Sequence, residues 1–120
     1  IRAKSATVRE KIAQDMEWAC ANPNIGYDQG QNTTLWTVAS KVGFNCKKVK
    51  TPCGTDCARL VRVCVKYAGV NVPDFYTGSE LQVLKGTGAF QILTAAKYCN
   101  SSDYLLRGDI LVTRTYRSAW

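Results

Sequence analysis

Histidine is absent from the 120 residues of the sequence. A cysteine nucleophile normally needs a nearby general base, most often an imidazole, and these residues provide none. No two of the six cysteines form the C-x2-C pair of a structural zinc site, and no imidazole is present to complete one. The sequence therefore excludes cysteine–histidine chemistry by these residues alone, and it predicts no metal or other cofactor.

Long apolar segments are also missing. No apolar run approaches the roughly 20 residues that span a bilayer, and the first residues, IRAKS, do not resemble the apolar core of a signal peptide. No internal repeat, low-complexity segment or linker divides the chain. Its length, with 46% hydrophobic and 21% charged residues, predicts one globular domain over residues 1–120.

Acidic residues are the minority charge. Nine Asp and Glu stand against sixteen Lys and Arg, which gives a net charge of +7. This excess favours a polyanionic partner such as nucleic acid, an anionic membrane or an anionic cell wall, or it is simply a solvated basic surface. The aromatic residues could stack on bases, but no nucleic-acid-binding motif or dense basic stripe is present. We therefore expect no nucleic-acid partner.

Six cysteines in 120 residues are too few for a disulfide scaffold. Four of them, Cys46, Cys53, Cys57 and Cys64, follow the spacing C-x6-C-x3-C-x6-C. A single bridge between Cys46 and Cys53 and a set of free thiols both fit this pattern. The preferred interpretation is mostly reduced thiols in a cytosolic protein.

Periodicity and capping signals predict four helices and two short strands. The capping box of Thr7 and Glu10 opens the first helix, and Ser79 opens the fourth in the same way. Gly43 and Gly69 provide left-handed ends for the second and third helices. The helices are predicted at residues 7–21, 34–42, 56–68 and 79–86, and the strands at residues 89–93 and 109–113. This order of elements predicts an α+β domain.

Cys57 is the residue that carries chemistry in this pattern. It follows a glycine-bearing loop and falls in the first turn of the third predicted helix. The free N–H groups and the dipole of that turn stabilise a thiolate, and they also point to where an oxyanion would form in acyl transfer. Cys57 is therefore a candidate nucleophile, although it could equally be an apolar plug in the helix end.

The neighbouring candidates each have two interpretations. Asp56 is either the N-cap of the helix or a residue that shapes the site. Tyr27 and Asp28 form either an ordinary turn or the border of a cleft. Cys64 and Cys20 are both expected in the apolar core.

Three segments resemble motifs of the NlpC/P60 and CHAP-type cysteine peptidases, which are papain-like peptidoglycan hydrolases of phage endolysins and bacterial cell-wall enzymes. Residues 55–61 (TDCARLV) resemble their D-C-S/A helix start, residues 106–112 (LRGDILV) resemble their L-x-x-G-D strand, and residues 26–29 (GYDQ) resemble their G-Y-D-Q loop. The segments occur in the family's order. The resemblance implies a papain-like fold in which N-terminal helices pack on a small, incomplete antiparallel sheet.

The same resemblance implies a function and a location. Cys57 would attack a peptide bond of peptidoglycan, while Tyr27, Asp28, Gln29 and Asp56 would border the substrate. Peptidoglycan would be the partner, without a cofactor. Like a phage lysin, the protein would stay in the cytoplasm until its release, or it would act at the cell wall or outside the cell.

One part of the family pattern is missing. In the family a histidine, usually in a Gly-His pair, begins the strand after the G-D strand, whereas residues 114–120 read RTYRSAW. We therefore expect a chain that is truncated or degenerate, and inactive alone or dependent on a partner. The exposed edge of residues 109–113 would pair with a second copy or with a full-length homologue. The alternative function is a catalytically dead module that binds the cell wall or regulates a full-length lysin.

Overall fold

The computed structural model describes residues 1–112. Helices dominate this part of the chain, and the prediction of an α+β domain is confirmed. The helices are α1 Ala6–Ala21, α2 Thr34–Ser40, α3 Cys57–Tyr67, α4 Thr77–Gly86 and α5 Ala96–Cys99, and the strands are β1 Arg2–Ala3, β2 Ile25–Tyr27, β3 Cys53–Thr55 and β4 Phe90–Gln91. Two 3-10 turns cover Gln29–Gln31 and Cys46–Lys48. Within residues 1–112, no helix has both the length and the apolar character that crossing a membrane requires.

Helix α1 begins one residue earlier than predicted, with a different cap. The side chain of Ser5 accepts a hydrogen bond from the backbone N–H of Val8 at 3.4 Å. Ser5 is therefore the N-cap residue. The predicted capping box of Thr7 and Glu10 is wrong, because Thr7 already lies inside the helix.

The buried face of α1 includes a carboxylate. Ile12, Asp15 and Ala19 are the buried residues of this helix, at the three- and four-residue spacing of one helical face. Cys20 is exposed, so the prediction that it belongs to the core is wrong: it lies about 100° around the helix from Ala19. Cys64 is fully buried, as predicted.

The four strands form two separate pairs. β1 and β4 are antiparallel, with Ala3 opposite Phe90. β2 and β3 are parallel, with Tyr27 opposite Thr55. The sequence predicted β4 but neither partner of the parallel pair, because two three-residue strands with a central glycine show no alternation of apolar and polar residues.

Helices α3 and α4 lie close to their predicted positions. Asp56 caps α3, and Gly69 follows the helix with a φ of 97°. α4 begins at Thr77 after the cap residue Tyr76, whose backbone N–H donates to Ser79 Oγ at 3.2 Å. Ser79 therefore lies in the first turn of α4, and the prediction that it opens the helix is wrong.

The segment 109–113, predicted as a strand, is not a regular strand over residues 109–112, and residue 113 lies outside the described residues. The backbones of Ile1 and Ile110 exchange two hydrogen bonds of 2.8 Å, which extends β1 by a single pair. The next residue, Leu111, is 71% exposed. The stretch 114–120, where the family histidine was expected, also lies outside the described residues.

Helix α3 contributes to both apolar cores of the described chain. The first core lies between α1, α3, α4 and β4, and the second between α1, α2, α3 and the second 3-10 turn. The buried residues of the first are Ala3, Ile12, Ala58, Cys64, Val65, Ala68, Val72, Phe75, Leu84, Phe90 and Ile110, and those of the second are Ala19, Leu35, Ala39, Cys46, Val49 and Val63. Because both faces of α3 are fixed by packing, its first turn is held in a defined position.

Candidate active site at the start of helix α3

Cys57 is the first residue of α3 and its side chain is exposed. Exposure contradicts the interpretation of Cys57 as an apolar plug. The sulfur lies 3.7 Å from the hydroxyl oxygen of Thr77, the first residue of α4. The first-turn N–H groups of α3 have no partner within the helix, so this sulfur lies where a helix favours negative charge.

Asp56 fixes the start of α3 through both carboxylate oxygens. Oδ1 accepts from the backbone N–H of Arg59 at 2.8 Å, which makes Asp56 the N-cap. Oδ2 accepts from Asn32 Nδ2 and from the Arg59 guanidinium, each at 3.0 Å. The structure therefore supports the capping interpretation of Asp56. Its bond to Asn32 also ties the helix start to the chain after the first 3-10 turn.

The parallel strand pair brings the G-Y-D-Q segment to the start of α3. Tyr27 lies opposite Thr55, two residues before Cys57, and Asp28 donates its backbone N–H to the Thr55 oxygen at 3.0 Å. A Cβ atom on Gly54 would lie only 2.9 Å from Cβ of Asp28, so glycine is needed for this close approach. The structure thus places Tyr27 and Asp28 beside the nucleophile candidate, although the two segments are far apart in sequence.

The side chains of this segment have distinct environments. Tyr27 is 69% exposed, and its hydroxyl accepts from Gln29 Nε2 at 2.7 Å. Asp28 caps the first 3-10 turn by accepting the N–H of Gly30 at 2.9 Å. The side chain of Asp28 therefore stabilises a turn, which agrees with the interpretation of Tyr27 and Asp28 as an ordinary turn. Tyr27 presents an aromatic surface to solvent next to that turn.

Sequence reasoning missed Glu80, which lies on α4 one turn after Thr77. Its side chain is buried, with 4% of the residue exposed, and Oε1 has no hydrogen-bond partner in the described chain. Burial, together with the negative charge of Asp56, raises the pKa of Glu80 to about 7, while the amino group of Ile1 acts in the opposite direction. Its position four residues before buried Leu84 was the available signal, because that spacing places both residues on one helical face.

The G-D segment docks on the opposite terminus of the chain. The Asp109 carboxylate accepts two bonds from the Arg2 guanidinium, at 2.9 and 2.8 Å. Gly108 has a φ of 92°, and a Cβ there would meet the Arg9 backbone, so only glycine fits. In the described chain this segment therefore joins the C-terminal part to β1 and α1.

Two cavities among residues 1–112 are lined by residues other than the predicted site residues. One, of about 600 Å³, lies between α5 and residues 109–112, and the other, of about 280 Å³, is lined by Trp36, Lys66 and the 71–73 loop. No group of three or more cysteine or acidic side chains in this part of the chain is arranged to hold a metal ion. The Cys57 side chain is itself exposed at the start of α3.

Taken together, the fold and this site define an α+β domain with an exposed cysteine at a capped helix start. The chain matches the family model described as "Endolysin-like domain" over residues 1–119, and it belongs to this family. The family relates the chain to phage lysins. Comparison with curated proteins and with solved structures gives no match.

Proposed function

We propose that this chain is a peptidoglycan hydrolase domain of the NlpC/P60 or CHAP type, with Cys57 as the nucleophile that attacks a peptide bond of the stem or cross-bridge. One observation carries the proposal: in an endolysin-like chain, an exposed cysteine occupies the first position of α3, beside the Tyr27–Asp28 turn.

The local geometry suits acyl transfer. Attack by the Cys57 sulfur on a carbonyl carbon places negative charge on the carbonyl oxygen. The N–H groups of the α3 first turn, apart from that of Arg59, which Asp56 caps, can stabilise that charge. In this proposal Tyr27, Asp28 and Gln29 border the substrate on one side, and Asp56 holds the start of α3 as its N-cap. The net charge of +7 favours contact with an anionic cell wall.

The release of the leaving amine is the difficult step, because an amine must receive a proton as it leaves. A positioned acid or base contributes about 10²–10⁴-fold to such a step. With no histidine in the sequence, we expect slow turnover by this chain alone. A second copy or a full-length homologue that supplies an imidazole would raise the rate.

The test is the release of soluble muropeptides from purified peptidoglycan, measured by mass spectrometry with the protein alone and with a full-length lysin of the same family. Cys57→Ala should abolish any release that the wild type gives, whereas Cys20→Ala, at an exposed cysteine of α1, should leave it unchanged. Release that survives Cys57→Ala would contradict the proposal.

A second candidate, a cell-wall-binding or regulatory module, is favoured by the +7 charge combined with the absence of histidine. It predicts retention on purified peptidoglycan that weakens as salt screens the charges and that Cys57→Ser does not change. No retention at low salt would exclude it. Retention without muropeptide release under any condition would favour it over hydrolysis.

A further inference from the structure

The smaller of the two cavities described above, of about 280 Å³, lies at the C-terminal end of α3. Its apolar walls come from Trp36 of α2 and from Val72 and Pro73 of the loop after α3, and its polar residues are Lys66 and Asn71. Ligand sites in proteins commonly combine apolar walls with a few well-placed polar groups. The cavity therefore has the composition of a site for a small ligand.

Arg62 of α3 holds the two walls of this cavity together. Its guanidinium carbon lies 3.5 Å from the centre of the Trp36 ring, and indole rings are the strongest partners of such cations. Its Nε donates a hydrogen bond of 3.3 Å to the backbone oxygen of Val72. The first contact fixes the wall from α2 and the second fixes the wall from the loop. The cavity is therefore formed before a ligand binds.

Phe44 supports the aromatic wall in an uncommon backbone conformation. Its ring centre lies 4.6 Å from that of Trp36. The φ of Phe44 is 61°, in the left-handed region that residues other than glycine seldom adopt. Strained residues of this kind persist only where the surrounding structure determines them, and they are frequent at ligand sites. Packing against Trp36 thus keeps Phe44 in place despite the strain.

Lys66 gives the cavity a positive charge. Its ammonium group donates to Asn71 Oδ1, but such a group has three N–H donors, so it can bind further acceptors. No carboxylate of the described chain forms a salt bridge with Lys66. Asp74, on the same loop, is engaged by Arg59 at 3.3 Å and by Arg62 at 4.0 Å. Because no acidic residue lines the cavity, its charge is complementary to an anionic ligand.

We propose that this cavity binds the free carboxylate of a short peptide, of the kind that ends a peptidoglycan stem peptide. Lys66 pairs with the carboxylate, Asn71 hydrogen-bonds the last peptide group, and the small apolar side chain of the terminal residue lies against Trp36 and Pro73. A longer polyanion would need more than the one cation that lines the cavity. The inference rests on the proposed function only for the source of the ligand, because the charge and the lining of the cavity do not involve Cys57.

The test is an NMR titration of the ¹⁵N-labelled full chain with the tripeptide Nα,Nε-diacetyl-L-lysyl-D-alanyl-D-alanine. We expect chemical-shift changes at the indole N–H of Trp36 and at the backbone N–H groups of Asn71 and Val72. The same tripeptide with a C-terminal amide should bind at least about fivefold more weakly, because it has no charge to pair with Lys66. Added salt should weaken the binding of the carboxylate form. Equal affinity for the two forms, or shift changes confined to the residues around Cys57, would overturn the proposal.

Two lysines supply a matched pair of variants, because Lys66 lies in the last turn of α3 and Lys85 in the last turn of α4. Lys66→Met removes the charge beside the cavity and should weaken tripeptide binding at least about fivefold, whereas Lys85→Met should bind like the wild type. Asn71→Ala, at an exposed loop position, should weaken binding as well. If Lys66→Met does not fold, as judged by circular dichroism, Asn71→Ala and the amide ligand decide the question. Equal binding by the two methionine variants would overturn the proposal.

Binding in this cavity and hydrolysis can fail separately. Tripeptide binding that depends on Lys66, without muropeptide release under any condition, would support the inference and contradict the proposed hydrolase. Muropeptide release by a chain that does not bind the tripeptide would overturn the inference alone. Shift changes at Trp36 and Asn71 with glycerol phosphate but not with the tripeptide would also overturn it, since the cavity would then select a phosphate rather than a peptide carboxylate.

Discussion

Two regions of this molecule each combine a cysteine with a carboxylate, yet in opposite settings. At the start of α3, Cys57 is exposed and Glu80 is buried without a partner for Oε1. In the interior, Asp15 accepts the backbone N–H of Cys46 at 2.8 Å and its thiol at 3.5 Å. The interior carboxylate is therefore hydrogen-bonded to its cysteine, whereas Glu80 has a buried oxygen without a hydrogen-bond partner in the described chain.

The thiols of the two regions differ accordingly. A hydrogen bond with Cys46, burial and the nearby Asp15 all raise the pKa of Cys64 well above its usual range. A thiol in that state is neither nucleophilic nor accessible. The presence of a cysteine therefore does not by itself indicate a reactive thiol. On α3, Cys57 in the first turn is exposed, whereas Cys64 in the middle of the helix is buried.

The largest effect should be the difference in thiol reactivity between the two regions. In the native protein, iodoacetamide should modify Cys57 at least about 10³-fold faster than Cys64, because Cys64 must wait for an opening that costs several kcal/mol. The measurement is site-resolved mass spectrometry over time. In concentrated guanidinium chloride the two rates should converge. If Cys64 reacts as fast as Cys57 in native buffer, burial does not protect the Cys64 thiol and the two regions do not differ in reactivity.

Removing the interior carboxylate should cost stability. Asp15→Ala leaves the buried N–H of Cys46 without its acceptor and opens a void, so urea unfolding should show a loss of about 2–4 kcal/mol. Asp15→Asn keeps an oxygen that can accept this bond and should cost less than half as much. An alanine variant as stable as the wild type would show that Asp15 does not organise the interior.

The Glu80 carboxyl should make stability fall as pH rises. The pKa of Glu80 is raised to about 7 in the folded protein, above its usual value in an unfolded chain. At pH values between the unfolded and the folded pKa, the folded state therefore binds more protons than the unfolded state. The stabilisation is fully present below the unfolded pKa and is lost as pH rises through about 7. Asp15, whose pKa burial raises to about 6, acts in the same direction over a lower range.

Glu80→Gln therefore should gain stability relative to the wild type as the pH increases from 5 to 8, by about 1–3 kcal/mol over that range. Urea unfolding at four or five pH values measures the difference. Asp103→Asn, at an exposed turn, is the control and should show no such trend. A constant difference between Glu80→Gln and wild type would mean that Glu80 does not titrate in this range.

Much of the fold was predictable because it depends on local signals. Helix α3 follows from its apolar stripe, from Asp56 as N-cap and from the left-handed Gly69. The parallel strand pair was not predictable, since Tyr27 and Thr55 meet through contacts distant in sequence. The cap of α1 was misplaced by two residues because both Ser5 and Thr7 precede the apolar pattern, and that of α4 by three because its N-cap is Tyr76, which is not a typical capping residue.

The candidate site was predictable only in part. Cys57 and its neighbour Asp56 are visible from a helix start after a glycine-bearing loop, and the GYDQ segment from its resemblance to a family motif. Glu80 and Asp15 were missed for one reason: charged residues are assigned to the surface unless the helical spacing is followed strictly. Both lie on the buried face of a helix, at four residues from Leu84 and Ala19 respectively.

The smallest effect concerns the loop that borders the surface cysteine, and it distinguishes two glycines of the chain. Gly54→Ala would place a Cβ 2.9 Å from that of Asp28 and 3.1 Å from the Gln31 oxygen, so the loop must shift, at a cost of about 1–3 kcal/mol. Gly86→Ala, with no atom within 4 Å of the new Cβ, should instead stabilise α4 by up to about 1 kcal/mol.

Thermal unfolding of the two variants measures both signs in one experiment. The rate of Cys57 acylation should fall in Gly54→Ala, since Asp28 and its turn move away from the start of α3, and should be unchanged in Gly86→Ala. If Gly54→Ala is tolerated without loss of stability or rate, the turn does not hold the border of the site. The position of Cys57 would then depend on α3 and on its contact with Thr77 of α4 alone.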